Sequence, residues 1–178
     1  FEAKPRKALD RFELEKLRRA CNTKREIALV DVLYSTGCRV SELCNMKMSD
    51  YNAENESFHI VGKGKKHNTV YINALAKISL TDYLESKPYS EYVFTQEKTN
   101  MKMSPEAIES IFRSLSDRAG FRVTPHILRH TFTTLALQSG MPITEVQKCL
   151  AHSSVATTQI YAETSQLDVE NSHRKYVV

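Results

Sequence analysis

The hydrophobic period of the chain changes from helical to strand-like and back again, and this change restricts the possible fold more than any other feature. Apolar and polar side chains alternate in two short runs, Phe58–Val61 and Thr69–Ile72. Such alternation predicts strands, and the Gly-bearing loop Gly62–His67 between them predicts a hairpin with a basic tip. A third short strand is predicted at Tyr92–Thr95.

Helical signals flank the hairpin on both sides. The clearest start signals are Ser104-Pro105 and Thr124-Pro125, in which a capping hydroxyl precedes a proline at the first helical position. Apolar residues with a helical period and further caps at Thr23 and Ser41 extend this pattern. The predicted helices cover 9–20, 24–35, 41–46, 74–86, 105–119, 126–138, 142–150 and a last segment from Ser153 or Ser154 to about Tyr161. The fold class predicted is therefore α+β, mainly α-helical with a small antiparallel β-sheet.

Length and composition fit one globular domain. The chain has 178 residues, of which 41% are hydrophobic and 26% charged. The longest uninterrupted apolar run is Ile27–Val30, whereas a membrane span needs about 20 such residues, so no membrane partner is expected. Four cysteines without a C-x-x-C pair indicate reduced thiols and a cytoplasmic location, and Cys38 and Cys149 are expected to be packed.

The positive charge is concentrated at one end. Residues 1–25 contain nine basic and four acidic side chains, so this segment accounts for the whole net charge of +4 and the remainder is close to neutral. A basic end on a near-neutral body indicates a polyanionic partner. A solvated helix face explains the same charges equally well, so charge alone leaves both alternatives open.

Two separate segments carry residues suited to phosphate chemistry. His126, Arg129 and His130 have i, i+3, i+4 spacing at a predicted helix start, which groups two imidazoles and a guanidinium near a helix N-terminus. Arg39 follows Gly37 at a short junction between helices. A polar solvated face and an ordinary surface arginine are the alternatives that these residues leave open.

Five motifs occur in a fixed order along the chain. They are Thr36–Leu43, Gly62–Lys65, His126–His130, Leu150–Ser153 and Tyr161. In this order they resemble the catalytic domain of tyrosine recombinases, the phage integrase family, from about residue 8 to 165. Ala151 departs from the glycine that is common in the family, a difference of one methyl group that puts little in doubt.

The resemblance implies the tyrosine recombinase catalytic domain fold and a DNA strand transferase. Tyr161 would be the nucleophile that attacks a DNA phosphodiester, forming a 3′-phosphotyrosyl link that is rejoined without ATP. Arg39, Arg129 and His152 would stabilise the phosphorane-like transition state, and His126 would act as general base. Lys63 would protonate the leaving 5′-oxygen, with Lys65 as the second choice. The resemblance implies neither a cofactor nor a metal ion.

Other residues would support the site or hold DNA. Glu42 is expected to steady the junction at Arg39, and His130 is expected to play a supporting part. The residues expected to contact DNA phosphates are Lys65, Lys66, His67, Arg6 and Lys7. The partner implied is double-stranded DNA at specific recombination sites, bound by a homotetramer that is a monomer when free.

The domain prediction treats residues 1–178 as one catalytic domain. Residues 1–7 are interpreted as a linker remnant, because the segment starts without Met and without a signal-peptide layout. The family's N-terminal core-binding domain is expected to be absent from this chain. Residues 162–178 are a tail that either docks on a neighbouring protomer or folds onto its own domain.

The leading functional prediction is a site-specific recombinase that integrates or excises a mobile element. The first alternative is a type IB topoisomerase, in which the position of His126 normally carries Lys or Arg. The second is a DNA-binding regulator with a decayed integrase fold. All six candidate catalytic positions are intact, which argues against the regulator.

Overall fold

The fold is described from a computed structural model, which describes residues 7–151 and 166–178. Its helices are α1 Arg11–Ala20, α2 Lys24–Thr36, α3 Val40–Cys44, α4 Ala74–Glu85, α5 Pro105–Ala119, α6 Pro125–Gln138, α7 Ile143–Cys149 and α8 Gln166–Tyr176. A single 3₁₀ turn covers Met48–Asp50, and the strands are β1 Tyr51–Asn52, β2 Ser57–Val61 and β3 His67–Tyr71. The predicted α+β class, mainly helical with a small antiparallel sheet, is confirmed. Within the described segments, no helix combines the length and the apolar character that a membrane crossing requires.

The sheet has the order β1-β2-β3 with antiparallel neighbours. In the predicted hairpin Phe58 pairs with Val70; both are buried, while His59 points outwards. The third strand is Tyr51–Asn52, so the prediction of a strand at Tyr92–Thr95 is wrong. That segment pairs with a different neighbour at each end, Tyr92 with Lys47 and Thr95 with Lys102, so no continuous ladder forms along it.

Local capping chemistry explains where most helices begin. The side chains of Thr23, Ser104 and Thr124 each accept a hydrogen bond from the backbone N–H three residues further on, as predicted. Helix α3 differs, because its N-cap is Arg39 and Ser41 lies inside the helix. The Glu42 side chain accepts the Arg39 N–H instead, so the predicted cap at Ser41 is wrong.

Helix α2 is the centre of the core, and every residue from Ala28 to Thr36 is buried. It packs against α4 and α6, and it carries the buried carboxylate of Asp31. Arg18 of α1 donates to both oxygens of this carboxylate, at 2.8 and 3.3 Å, and Ser79 of α4 donates to it as well. This network ties α1, α2 and α4 together, so the basic first helix is fixed to the core.

The four cysteines are free thiols. Cys38 and Cys149 are buried, in agreement with the prediction that they are packed. Burial raises the pKa of each of these two thiols to about 12, so both are protonated and unreactive at neutral pH.

The described part of the tail forms α8, which packs against α7 of the same chain. Val169 and Val177 are buried, and so is His173. The Nε2 atom of His173 lies 2.6 Å from the Ser35 carbonyl oxygen in the last turn of α2, which requires a proton on Nε2. Burial lowers the pKa of His173 to about 4, so the ring is neutral near pH 7. Helix α8 thus rests on the C-terminal end of α2 in this single chain.

Candidate functional site

The C-terminal end of α2 is the point around which the candidate site is built. Gly37 ends the helix with φ +66°, a left-handed conformation that favours glycine. A methyl group at this position would lie 2.6 Å from Cδ1 of Phe132 and 2.9 Å from Cδ2 of Leu150. Both the conformation and the close approach therefore require glycine, and together they bring the end of α2 against α6.

Arg39 projects from this junction, two residues beyond Gly37. Its backbone N–H donates to Oε1 of Glu42 at 2.7 Å, which fixes the start of α3. The Arg39 side chain is half exposed, and its Nη1 lies 3.9 Å from Oε2 of Glu42, whose own side chain is only 6% exposed. The Glu42 carboxylate thus contacts both the backbone and the side chain of Arg39, and its supporting role in the site stays a prediction.

Arg129 reaches the same junction from α6. Its Nη1 donates to the Gly37 carbonyl oxygen at 2.6 Å, and its Nη2 donates to the Leu150 carbonyl oxygen at 3.1 Å. The guanidinium group is thus buried and held by carbonyls from two different segments. His126 lies one turn earlier on α6, where the Thr124 cap and Pro125 start the helix, and it is exposed.

Arg39, His126 and Arg129 line one cleft with a volume of about 1110 Å³. They come from segments that are almost ninety residues apart in the sequence, so only the fold brings them together. Two guanidinium groups and an imidazole on one cleft can hold a phosphate group and move a proton next to it. The fold thus brings together three of the six predicted catalytic residues, and their catalytic roles stay predictions.

The lysines of the hairpin lie apart from the cleft. Lys63, Lys65 and Lys66 are exposed in the loop between β2 and β3, and they are not among the residues that line the cleft. The loop is closed by a 2.8 Å hydrogen bond from the Gly62 N–H to the Lys66 carbonyl oxygen. Lys65 adopts φ +56°, which is strained for a residue with a side chain.

The other residues predicted to contact DNA or to support the site are not grouped in one place. His67 stacks on His59, with 2.8 Å between its Nδ1 and the His59 Nε2, so one ring must donate and the other accept. Lys7 is highly exposed and lies 3.7 Å from Glu13, and Arg6 lies outside the described residues. His130 is exposed and is not part of the cleft lining.

Two predicted catalytic residues, His152 and Tyr161, also lie outside the described residues. Their roles therefore remain predictions from the sequence. The same holds for the predicted helix from Ser153 or Ser154 to about Tyr161.

Sequence reasoning did not identify two arginines of the cleft. Arg113 on α5 and Arg122 before α6 line it together with Arg39 and Arg129. Neither of them forms an ion pair with another described residue. The helical period of α5 predicts that Arg113 is exposed, but no signal in the sequence shows that this face borders the cleft. In the segments described, no three His, Cys, Asp or Glu side chains are grouped so that they could hold a metal ion.

Comparisons with known proteins agree with the geometry. The sequence profile of the phage integrase family matches residues 7–167. Tyrosine recombinase XerA of Thermococcus onnurineus is 38% identical over 176 residues, which are 95% of this chain and 62% of that protein. Tyrosine recombinase XerC of Leptospira interrogans is 36% identical over 157 residues, or 85% of this chain and 50% of that protein. The chain thus spans about half to three fifths of the length of these relatives.

Solved structures show the same similarity. The crystal structure of a XerA recombinase has a TM-score of 0.77 at 35% identity and covers 93% of this chain and 63% of its own. The XerH site-specific recombinase bound to its difH substrate has a TM-score of 0.69 at 25% identity, with 88% and 50% covered. The Tn1549 transposon integrase in complex with DNA shares the fold, with a TM-score of 0.72 at 20% identity over 96% of this chain and 65% of its own.

Proposed function

Because the chain belongs to the phage integrase family, we propose that it is the catalytic domain of a site-specific DNA recombinase. The observation that carries this proposal is the meeting of Arg39, His126 and Arg129 on one cleft. The substrate is double-stranded DNA carrying a specific recombination site. The similarity to a XerH recombinase bound to its difH substrate supports a DNA partner.

The proposed reaction is a transesterification. The phenolic oxygen of Tyr161 forms a bond to phosphorus, the bond from phosphorus to the 5′-oxygen breaks, and the protein is left on the 3′-phosphate. The reverse attack by a 5′-hydroxyl of another strand rejoins the DNA. The covalent link conserves the energy of the broken phosphodiester bond, so rejoining the strand needs no ATP.

The arginines stabilise the negative charge of the transition state. Negative charge collects on the non-bridging oxygens of the pentavalent phosphorus, and Arg39 and Arg129 offer permanently charged, planar donors for those oxygens. The carbonyls of Gly37 and Leu150 hold Arg129 in place before substrate arrives. Preorganised donors of this kind are typically worth about 2.7–4 kcal/mol each. His152 is proposed as a third donor.

Proton transfer needs a base and an acid. His126 is proposed as the base for the phenol of Tyr161, since an unperturbed phenol ionises only near pH 10. Lys63 is proposed as the acid that protonates the leaving 5′-oxygen, with Lys65 as the alternative. Glu42 supports Arg39, and His130 is proposed to support the site without touching substrate.

The exposed basic residues are proposed to position DNA. Lys65, Lys66, His67 and Lys7 would contact phosphates, and so would Arg6. Phosphate contacts of this kind fix the register of the protein on DNA but carry little sequence information. We further propose a homotetramer on DNA, a monomer when free, and a cytoplasmic location. Residues 166–178 pack on their own domain in the single chain. Docking of the tail, residues 162–178, on a neighbouring protomer is therefore proposed only for the tetramer assembled on DNA.

The biological setting of the recombination is a separate proposal. Integration or excision of a mobile element is the first alternative; the transposon integrase at 20% identity shares the fold and carries no further argument for it. The two relatives described above, at 38% and 36% identity, are instead named XerA and XerC recombinases, with no mobile element in their names. Mapping the trapped recombination site tests the mobile-element setting. A site at the ends of a mobile element supports it, and a single chromosomal site opposes it.

A covalent adduct tests the proposed function. Protein containing this chain first selects its binding site from sheared chromosomal DNA, and a duplex with that site is then nicked so that the 5′ product is lost after cleavage. We expect the wild type to accumulate a covalent protein–DNA adduct and Tyr161→Phe to bind equally well without forming it. An adduct in Tyr161→Phe, or none in the wild type, contradicts the proposal.

The topoisomerase alternative is tested with the same protein. The histidine at position 126 favours a recombinase over a type IB topoisomerase. We expect strand exchange between two copies of the recovered site. Relaxation of supercoiled plasmids that lack the site, without strand exchange, would support the topoisomerase instead.

A further inference from the structure

Gly62, the first residue of the hairpin loop, lies directly against the carboxylate of Glu42. A methyl group built at Gly62 would come within 2.8 Å of the Glu42 Oε2 atom. That is well inside ordinary van der Waals contact, so one of the two must move if a side chain is added. Gly62 does not adopt a left-handed conformation. The requirement for glycine here is therefore one of space and not of backbone geometry.

The same carboxylate is fixed on its other side. Oε1 of Glu42 accepts the Arg39 N–H at 2.7 Å, and Oε2 lies 3.9 Å from Nη1 of Arg39. The Glu42 side chain is 6% exposed, so it has little room to move. Residues 63–67 of the loop are all exposed and therefore have room to shift.

We propose that Gly62 is a positioning residue for Lys63, because its lack of a side chain lets the hairpin loop rest on Glu42 beside Arg39. The hydrogen bond between the Gly62 N–H and the Lys66 carbonyl oxygen closes the loop, so the loop shifts as a unit when its base shifts. Glu42 thus sets the distance between the loop lysine and the phosphate that Arg39 holds. This inference rests on the proposed function.

The chemistry of the leaving group makes the inference testable. When the bond from phosphorus to the 5′-oxygen breaks, the oxygen takes a proton from the Lys63 ammonium group. If sulfur replaces that bridging oxygen, the leaving group departs as a thiolate and needs no proton, since thiols ionise at a pKa of about 8.5. A defect in the position of Lys63 therefore disappears on the sulfur substrate, while a defect in phosphate binding by Arg39 persists.

The experiment compares Gly62→Ala with the wild type on nicked duplexes that carry oxygen or sulfur at the scissile 5′ position. We expect Gly62→Ala to form adduct about 10- to 100-fold more slowly on the oxygen substrate. This is less than the roughly 10²–10⁴-fold that a general acid typically contributes, because the lysine is displaced and not removed. On the sulfur substrate it should approach the wild-type rate. Lys63→Ala should follow the same pattern, and Arg39→Ala should stay slow on both substrates.

Val61→Ala is the matched control, because it alters the exposed residue next to Gly62 without adding an atom near Glu42. It should cleave both substrates at the wild-type rate. The inference is overturned if Gly62→Ala cleaves the oxygen substrate normally, or if it is slowed equally on both substrates. A wild type that forms no adduct refutes the proposed function, and the inference falls with it.

Discussion

Gly37 and Gly120, two of the glycines with a left-handed backbone, should differ measurably in the stability that is lost when each is changed to alanine. Both have positive φ, +66° and +83°, so each substitution costs about 1–2 kcal/mol of backbone strain. At Gly120 a methyl group meets no atom within 4 Å. At Gly37 it would meet Phe132 and Leu150 at 2.6 and 2.9 Å, and overpacking of a core adds about 1–3 kcal/mol.

The expected loss is therefore about 2–5 kcal/mol for Gly37→Ala, from the strain and overpacking together, and about 1–2 kcal/mol for Gly120→Ala. The entropy that alanine removes from the unfolded chain is common to both variants and cancels in the comparison. Equilibrium unfolding in urea measures both free energies. Equal losses in the two variants, or a smaller loss at Gly37, would refute the claim that close packing at the end of α2 excludes a side chain.

Three further predictions concern catalysis, pH and salt. Arg129→Lys should slow adduct formation by about 10²–10³-fold, because one ammonium group cannot bridge two carbonyls and a phosphate; single-turnover kinetics would measure this. Burial lowers the folded-state pKa of His173 to about 4, so the unfolded chain binds the extra proton. Stability should then fall as pH drops from about 6.5 to 4, by more than in His173→Gln in parallel urea titrations. Lys66→Ala should reduce the slope of log affinity against log salt by about 0.9, measured by DNA binding across a salt series.

Local signals predicted most of the fold. Hydroxyl caps at Thr23, Ser104 and Thr124 act within one helical turn, so their effect can be predicted from neighbouring residues alone. The strand Tyr51–Asn52 was not predicted, because a strand of two residues is too short to show an alternating pattern of apolar and polar side chains. Helix α8 was not predicted, because its sequence is mostly polar and its helical form depends on a few buried contacts with the rest of the domain.

The sequence motifs allowed the grouping of three side chains to be predicted. The ordered motifs grouped Arg39, His126 and Arg129, and the fold places them on one cleft. The burial of Arg129 between two carbonyls and the contact of Gly62 with Glu42 were not predictable, because both depend on distances between segments that are far apart in the sequence. The roles of His152 and Tyr161 stay predictions.

The hydrogen bond from Arg129 to the Gly37 carbonyl has an evolutionary consequence. The C-terminal end of a helix carries partial negative charge, and a buried cation there stabilises it. The same guanidinium group is proposed to bind the scissile phosphate. Stability and activity therefore both favour arginine at this position. Active-site residues often cost stability, and their replacement then yields a sturdier but inactive protein. At Arg129, by contrast, we expect a replacement to lower stability and, under the proposed mechanism, activity together.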